Sequence, residues 1–176
     1  CGALVDPVDA LPFACPEATE DDDIDHVLAR EIPLGTATFP TAGSINPFIR
    51  FRRLSLAWQL VTSRGFEDAR FVDLICALDD SVAAVDGKGF SFTPMEFNAS
   101  LGVWVKDETR NVSGSHKARH LMGVMIALKA FESLGLPSVQ GLTERRLAIA
   151  SCGNAALAAA VVARAAEWPL DVFLPM

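Results

Sequence analysis

Residues 103–121 read VWVKDETRNVSGSHKARHL, and this stretch decides how the rest of the chain is read. Val103 to Val105 are β-branched and aromatic, which suits a pleated surface, so they predict the end of a buried strand. Lys106 to Asn111 form a polar turn. Ser113, Gly114 and Ser115 then supply loop flexibility and hydroxyl caps for a following helix. Lys117 falls in the first turn of that helix. The positive end of the dipole disfavours a cation there and favours the neutral amine, the form that attacks a carbonyl to make a Schiff base. A lysine with a long solvated stem is the ordinary alternative, and the neighbouring residues decide between the two.

Glu108, Asn111, Gly114, Ser115, Lys117 and Arg119 fit the spacing E-x-x-x-N-x-x-G-S-x-K-x-R. A second loop, Ala150-Ser151-Cys152-Gly153-Asn154-Ala155-Ala156, follows about 35 residues later and has the form S-x-G-N-x-A. Together they resemble the two cofactor loops of the fold-type II pyridoxal phosphate enzymes. That family includes threonine synthase, serine and threonine dehydratases, cysteine synthase and the tryptophan synthase β chain. The resemblance covers about Gly89 to Met176. The resemblance implies an α/β fold, a parallel sheet with flanking helices. Here that fold is incomplete and preceded by a helical N-terminal region. The expected division is 1–45, a cysteine-bearing acidic segment; 46–88, a helical region; and 89–176, the N-terminal part of the catalytic domain.

The same resemblance implies the site. Lys117 would hold pyridoxal 5'-phosphate as a Schiff base and, once freed by an incoming amino acid, move the α-proton as general acid and base. Asn154 would hydrogen-bond the ring hydroxyl oxygen. Either Asn154 or Gly153 caps the following helix, and Asn154 as a plain N-cap would need no cofactor. Ser151, Cys152 and Gly153, with the backbone N–H groups of the following helix, would bind the substrate carboxylate. His116 stands where many members carry Phe; the tryptophan synthase β chain also has His-Lys, with the imidazole beside the cofactor phosphate. The family's glycine-rich phosphate loop and pyridine-nitrogen partner come later in its order, and no such glycine cluster occurs before Met176. The stretch alone is therefore expected to be inactive.

Gly87-Lys88-Gly89-Phe90-Ser91-Phe92-Thr93-Pro94-Met95 is similar to the G-E-G-x-T-P-L stretch of threonine synthases, with Lys88 replacing the acid and extra residues before Thr93. An ordinary loop before a strand explains it as well. The layout favours a threonine synthase-like lyase performing β- or γ-elimination or replacement on small amino acids. A serine or threonine ammonia-lyase and a non-catalytic assembly fragment are the alternatives.

Upstream, Asn46-Pro47 opens a helix with proline in its first turn. Phe48, Phe51, Leu54, Trp58 and Val61 mark one apolar face running to Gly65. Arg50, Arg52 and Arg53 lie largely off it, as a solvated face or a phosphate clamp. A second helix is predicted from Glu67 to Val85, with Phe71, Leu74, Leu78, Val82 and Val85 inward and Cys76 a small buried hydrophobe. After Lys117, Leu121, Val124, Met125, Leu128 and Phe131 form the next stripe, closed by Gly135 and Pro137. Leu147 to Ala150 is a short strand, Ala155 to Glu167 a helix buried on several sides, and Leu170 to Leu174 the next parallel strand.

A chain of 176 residues is one ordinary domain that buries about 70% of its unfolded surface. Its net charge of −7 offers no basic stripe for nucleic acid. The apolar run Ala155–Ala163 is too short to span a bilayer. Four cysteines at irregular spacing suggest a reducing compartment, taken as cytoplasmic. The expected partners are a small amino-acid substrate and a second copy of the whole protein, with neither nucleic acid nor membrane. Starting at Cys1 and stopping after one strand, the chain reads as part of a longer protein. Cys1-Gly2 and Cys15-Pro16 are similar to the CG…CP knuckle that often opens threonine synthases. Zinc normally takes four N or S ligands, and only two cysteines and the distant His26 are at hand. The acidic run Glu17–Asp25 is thus read as a structureless linker with no metal assigned.

Overall fold

Asn46 opens the first helix in a computed structural model that describes residues 1–5, 15–29, 38–135 and 141–174. Its side-chain oxygen accepts from Phe48 N and Ile49 N, and Pro47 occupies the first turn. The single helix predicted up to Gly65 is in fact three pieces: α1 (Pro47–Arg50), a 3-10 turn (Arg52–Leu54) and α2 (Leu56–Ser63). The break has a physical cause. Ser55 is extended at the start of α2, and Arg52 is held away from a continuous helix by a two-pronged pair with Asp68 at 2.6 and 2.7 Å. Of the three arginines only Arg53 lies on an exposed face. Arg52 is paired, Arg50 donates to the Pro40 and Thr41 carbonyls and covers the Phe92 ring, and Arg53 covers Trp58.

α3 spans Asp68–Asp86 and ends at Gly87, whose φ of +83° is the left-handed cap that glycine adopts without strain. Phe71, Ile75, Leu78 and Val82 face the core. Two expectations fail here: Cys76 and Val85 are exposed. Helical geometry turns Cys76, one step past the fully buried Ile75, onto the solvent side.

Met95–Asn98 (β1) and Val103–Lys106 (β2) form an antiparallel hairpin. The expected buried strand is therefore an exposed one, and every residue of β2 is open. The β-branched pattern identifies the strand correctly but says nothing of what covers it. Within the hairpin, Phe97 packs against Trp104 with ring centroids 5.4 Å apart.

α4 spans Lys117–Glu132. Its core face is Ala118, Met122, Met125, Ile126 and Ala130, with Phe131 beside it. Leu121 and Leu128 are only half-buried and Val124 is exposed, so the inward stripe is rotated by about one residue from the predicted one. Pro137 lies outside the described residues, as do Pro175 and Met176. β3 (Leu147–Ala150), α5 (Asn154–Ala165) and β4 (Leu170–Phe173) form the expected parallel unit, with Leu147 opposite Leu170 and Ala150 opposite Phe173. α5 stops at Ala165 rather than Glu167, because Glu167 takes a left-handed φ of +53° and Trp168 N turns back to the Ala163 carbonyl.

The described chain is thus mixed α/β: two two-stranded sheets and a helical core in which α2, α3 and α5 pack around α4. Alanines 158, 159, 163 and 165 allow α5 close approach on several sides, as expected of a helix so poor in polar positions. Among the described residues no helix is long and apolar enough to cross a membrane.

Candidate cofactor site

The loop between β2 and α4 is built by its own polar residues. Glu108 accepts from Arg119 Nε at 2.8 Å and from the Thr93 hydroxyl, and Lys106 Nζ lies 3.6 Å away. Arg119 also donates to the Ser91 carbonyl at 3.0 Å, and Lys106 to the Thr93 carbonyl at 2.5 Å. Burial pushes the Glu108 carboxyl up. The Arg119 and Thr93 hydrogen bonds and the two nearby cations outweigh that and hold it below its usual range. One carboxylate so ties the 91–94 segment, the end of β2 and the first turn of α4 together.

Asn111 closes the loop from inside. It is buried, and its Nδ2 donates to the Ser115 carbonyl at 2.7 Å. Ser113 and Gly114 both take left-handed φ, +54° and +71°. Ser113 N donates to Asp86 Oδ2 at 3.1 Å, which anchors the turn to the end of α3. The Asn111 Oδ1 and Ser113 Oγ atoms are buried and lack a partner among the described residues. Ser113 is therefore not the hydroxyl cap. Ser115 takes that part, its Oγ accepting from Lys117 N at 3.3 Å.

Lys117 is the first residue of α4 and is exposed. Its amine has no partner among the described residues, whereas Lys106 is paired with Glu108, and Lys129 with Glu132 and the Trp168 ring. His116 precedes it, exposed, with its side chain not engaged in capping. The second loop leaves β3 at Ser151, whose N–H continues the ladder to Phe173 O at 3.1 Å and whose Oγ accepts from Gly153 N at 3.3 Å. Cys152, Gly153 and Asn154 are exposed. Gly153, not Asn154, stands at the N-cap position, and no side chain caps α5. Asn154 heads the helix with its amide unpartnered among the described residues, so the plain-cap reading of Asn154 does not hold. Its backbone neighbours present uncapped N–H groups. α5 packs on α4 and on the Val112–Gly114 turn, which makes the two motif loops parts of one packed unit.

These residues fit a carbonyl-bearing, anionic cofactor: a free amine on a clamped loop, a free amide and an uncapped helix start. Sequence reasoning identified Glu108 and Arg119 as motif positions without finding their pairing. That pairing is not a helix-face spacing, because the two residues lie on different elements. It also set His26 too far from the cysteines. In the structure Cys1, Cys15 and His26 bring their ligand atoms within 4.8 Å of one another.

The sequence pattern of one family, described as pyridoxal-phosphate dependent enzyme, matches residues 89–176, half of the chain. No curated protein and no solved structure matches it.

Proposed function

Because the chain belongs to the pyridoxal-phosphate dependent enzyme family, we propose that it is the cofactor-holding part of a threonine synthase-like lyase acting on small amino acids by β- or γ-elimination or replacement. The observation that carries the assignment of the site is Lys117: an exposed, unpartnered amine at the head of α4, on a loop fixed by Glu108, Arg119 and Asn111. The cofactor, when bound, supplies an aldehyde for that amine and a ring that takes up electrons from the substrate α-carbon.

Lys117 has two tasks. It would hold the cofactor aldehyde, and its free amine would move the proton at the substrate α-carbon. The clamp fixes the backbone from which the amine projects, and placement of an acid–base group is where its rate is gained. Asn154 orients the ring through its hydroxyl oxygen. The substrate carboxylate goes to Ser151, Cys152 and Gly153 with the free N–H groups at the start of α5, where the helix dipole favours an anion. Gly153 supports this. A Cβ there would meet nothing within 4 Å among the described residues, which leaves open space in front of the helix start for a ligand to approach closely. His116, beside Lys117, is assigned to the cofactor phosphate. The helical region before residue 89 and the Gly87–Met95 stretch support the threonine synthase-like reading over an ammonia-lyase.

Incubation with pyridoxal phosphate, borohydride reduction and peptide mapping test the site. The reduced label falls on Lys117 and disappears in Lys117→Ala. A label on Lys88, Lys106 or Lys129 instead would overturn the assignment.

A further inference from the structure

The acidic segment that opens the chain is folded around a cluster the cofactor site does not use. Cys1 Sγ and Cys15 Sγ are 3.6 Å apart, and a ligand nitrogen of His26 completes a set of three atoms within 4.8 Å of one another. Cys15 is 7% exposed. A tetrahedral zinc with Zn–S of about 2.3 Å separates two thiolates by roughly 3.8 Å, close to the spacing found.

His26 is prepared on its other side. Its Nε2 lies 2.9 and 3.0 Å from the two Asp22 oxygens. Asp22 is fixed in turn by the Thr19 hydroxyl and the Ile24 N–H, each at 3.0 Å. A carboxylate on Nε2 places the ring proton there and leaves Nδ1 as a lone-pair donor. His26 Nδ1 is buried and has no partner among the described residues. An unsatisfied buried nitrogen is costly, and a cation bound to it and to the two sulfurs removes that penalty.

We propose that Cys1, Cys15 and His26 bind a zinc ion, with Asp22 orienting the imidazole and water in the fourth position. Two thiolates and an imidazole select zinc over the hard cations magnesium and calcium, which take oxygen ligands. The ion fastens the first residues of the chain to the 15–29 segment. The acidic stretch Glu17–Asp25 has too little apolar surface to hold that fold alone.

The test is metal titration of the reduced full chain with cobalt as probe, followed by displacement with zinc. One cobalt per chain is expected, with thiolate-to-metal charge transfer and the intense visible bands of a tetrahedral site, both lost when zinc is added. Cys15→Ser and His26→Ala abolish the spectrum. His26→Cys restores it with stronger charge transfer, and Asp22→Asn weakens affinity about 10–100-fold. None of the four residues belongs to the main hydrophobic cluster, so helical circular dichroism stays unchanged in every variant. A weak octahedral spectrum, a site indifferent to His26→Ala, or a Cys1–Cys15 disulfide in the protein as purified would each overturn the proposal.

Discussion

Arg119 Nε donates to Glu108 Oε2 at 2.8 Å across the loop that carries Lys117. The lysine sits two residues before the arginine and nine after the glutamate, so the ion pair closes a ring of chain around it. A cofactor lysine must hold its amine at a fixed place while making and breaking a bond. Both partners are mostly covered, their side chains 24% and 17% exposed, which shields the pair from screening by salt.

Arg119→Met leaves Glu108 covered and short of its strongest partner. Unfolding in urea should show a loss on the order of 2 kcal/mol, the scale of a lost charge-assisted hydrogen bond. Glu108→Gln keeps an acceptor for Arg119 and costs less. The carboxyl lies below its usual value in the folded chain. Its contribution is therefore present above the ordinary glutamate range near pH 4.3 and is lost as pH falls through the folded value. Arg119→Met should flatten that part of the stability–pH curve. An unaltered curve would show that the pair does not hold the loop.

Asp68 provides a second pH test with its own reporter. The Arg52 hydrogen bonds, against a smaller opposing effect of burial and with help from Trp58, lower its carboxyl to about 2. Trp58 Nε1 donates to the same carboxylate at 2.7 Å. The stabilisation is full above the ordinary aspartate value and fades as pH falls from about 4 towards 2. Asp68 is 41% exposed, so screening keeps the effect below about 1 kcal/mol. In a Trp104→Phe, Trp168→Phe background, which leaves Trp58 as the one tryptophan of the three, emission should titrate in that window, and Asp68→Asn should remove the transition.

The two loops were legible because their chemistry is local. A glycine-serine turn before a lysine and a glycine-asparagine turn before an alanine-rich run specify strand–loop–helix units in sequence alone, and both units stand in the structure. β3, α5 and β4 were legible for the same reason. What failed was set by partners far along the chain. Phe48 to Val61 has the period of one helix, yet Asp68 captures Arg52 and breaks it. Cys76 and Ile75 are neighbours of similar hydrophobicity, and only the packing of α5 on α3 decides which is buried. β2 was correctly a strand, but its exposure depends on what lies over it. His26 and Cys15 are eleven residues apart, and only the turns around Asp22 bring them together.

Gly89 is held without a Cβ by the side chain it faces. A Cβ there would stand 2.8 Å from Asp79 Oδ2. That carboxylate accepts from Phe90 N at 2.7 Å and from Asn46 Nδ2 at 2.9 Å, so it cannot step aside freely. Gly89→Ala should displace it, costing about 1 kcal/mol for one lost hydrogen bond and loosening the Asn46 cap of α1. Burial raises the Asp79 carboxyl against the pull of those two donors. The folded chain therefore holds that proton to higher pH than the unfolded chain, and stability from this group declines as pH rises through the folded value. A melting temperature unchanged in Gly89→Ala would show that Asp79 has room to move.

Asn154→Ala and Gly153→Ala separate a role in folding from a role in binding. The Asn154 amide makes no cap and stands exposed at the head of α5, so its removal should cost less than the ~1 kcal/mol of a lost N-cap. Alanine is also a better helix former than asparagine, which offsets any residual loss. Gly153→Ala meets no atom within 4 Å among the described residues, so it should cost less than about 1 kcal/mol of stability. Binding should behave in the opposite way. With the ring hydroxyl unsupported, Asn154→Ala should shift the absorption of bound pyridoxal phosphate while the borohydride label stays on Lys117. A methyl at position 153 should weaken substrate amino acids more than cofactor, because it stands where the carboxylate approaches the helix start. Thermal unfolding without ligand, run beside absorbance titrations with pyridoxal phosphate and then with serine, reads both quantities in the same samples. Destabilised variants with unaltered spectra would return Asn154 and Gly153 to the fold and leave Lys117 as the one tested contact with the cofactor.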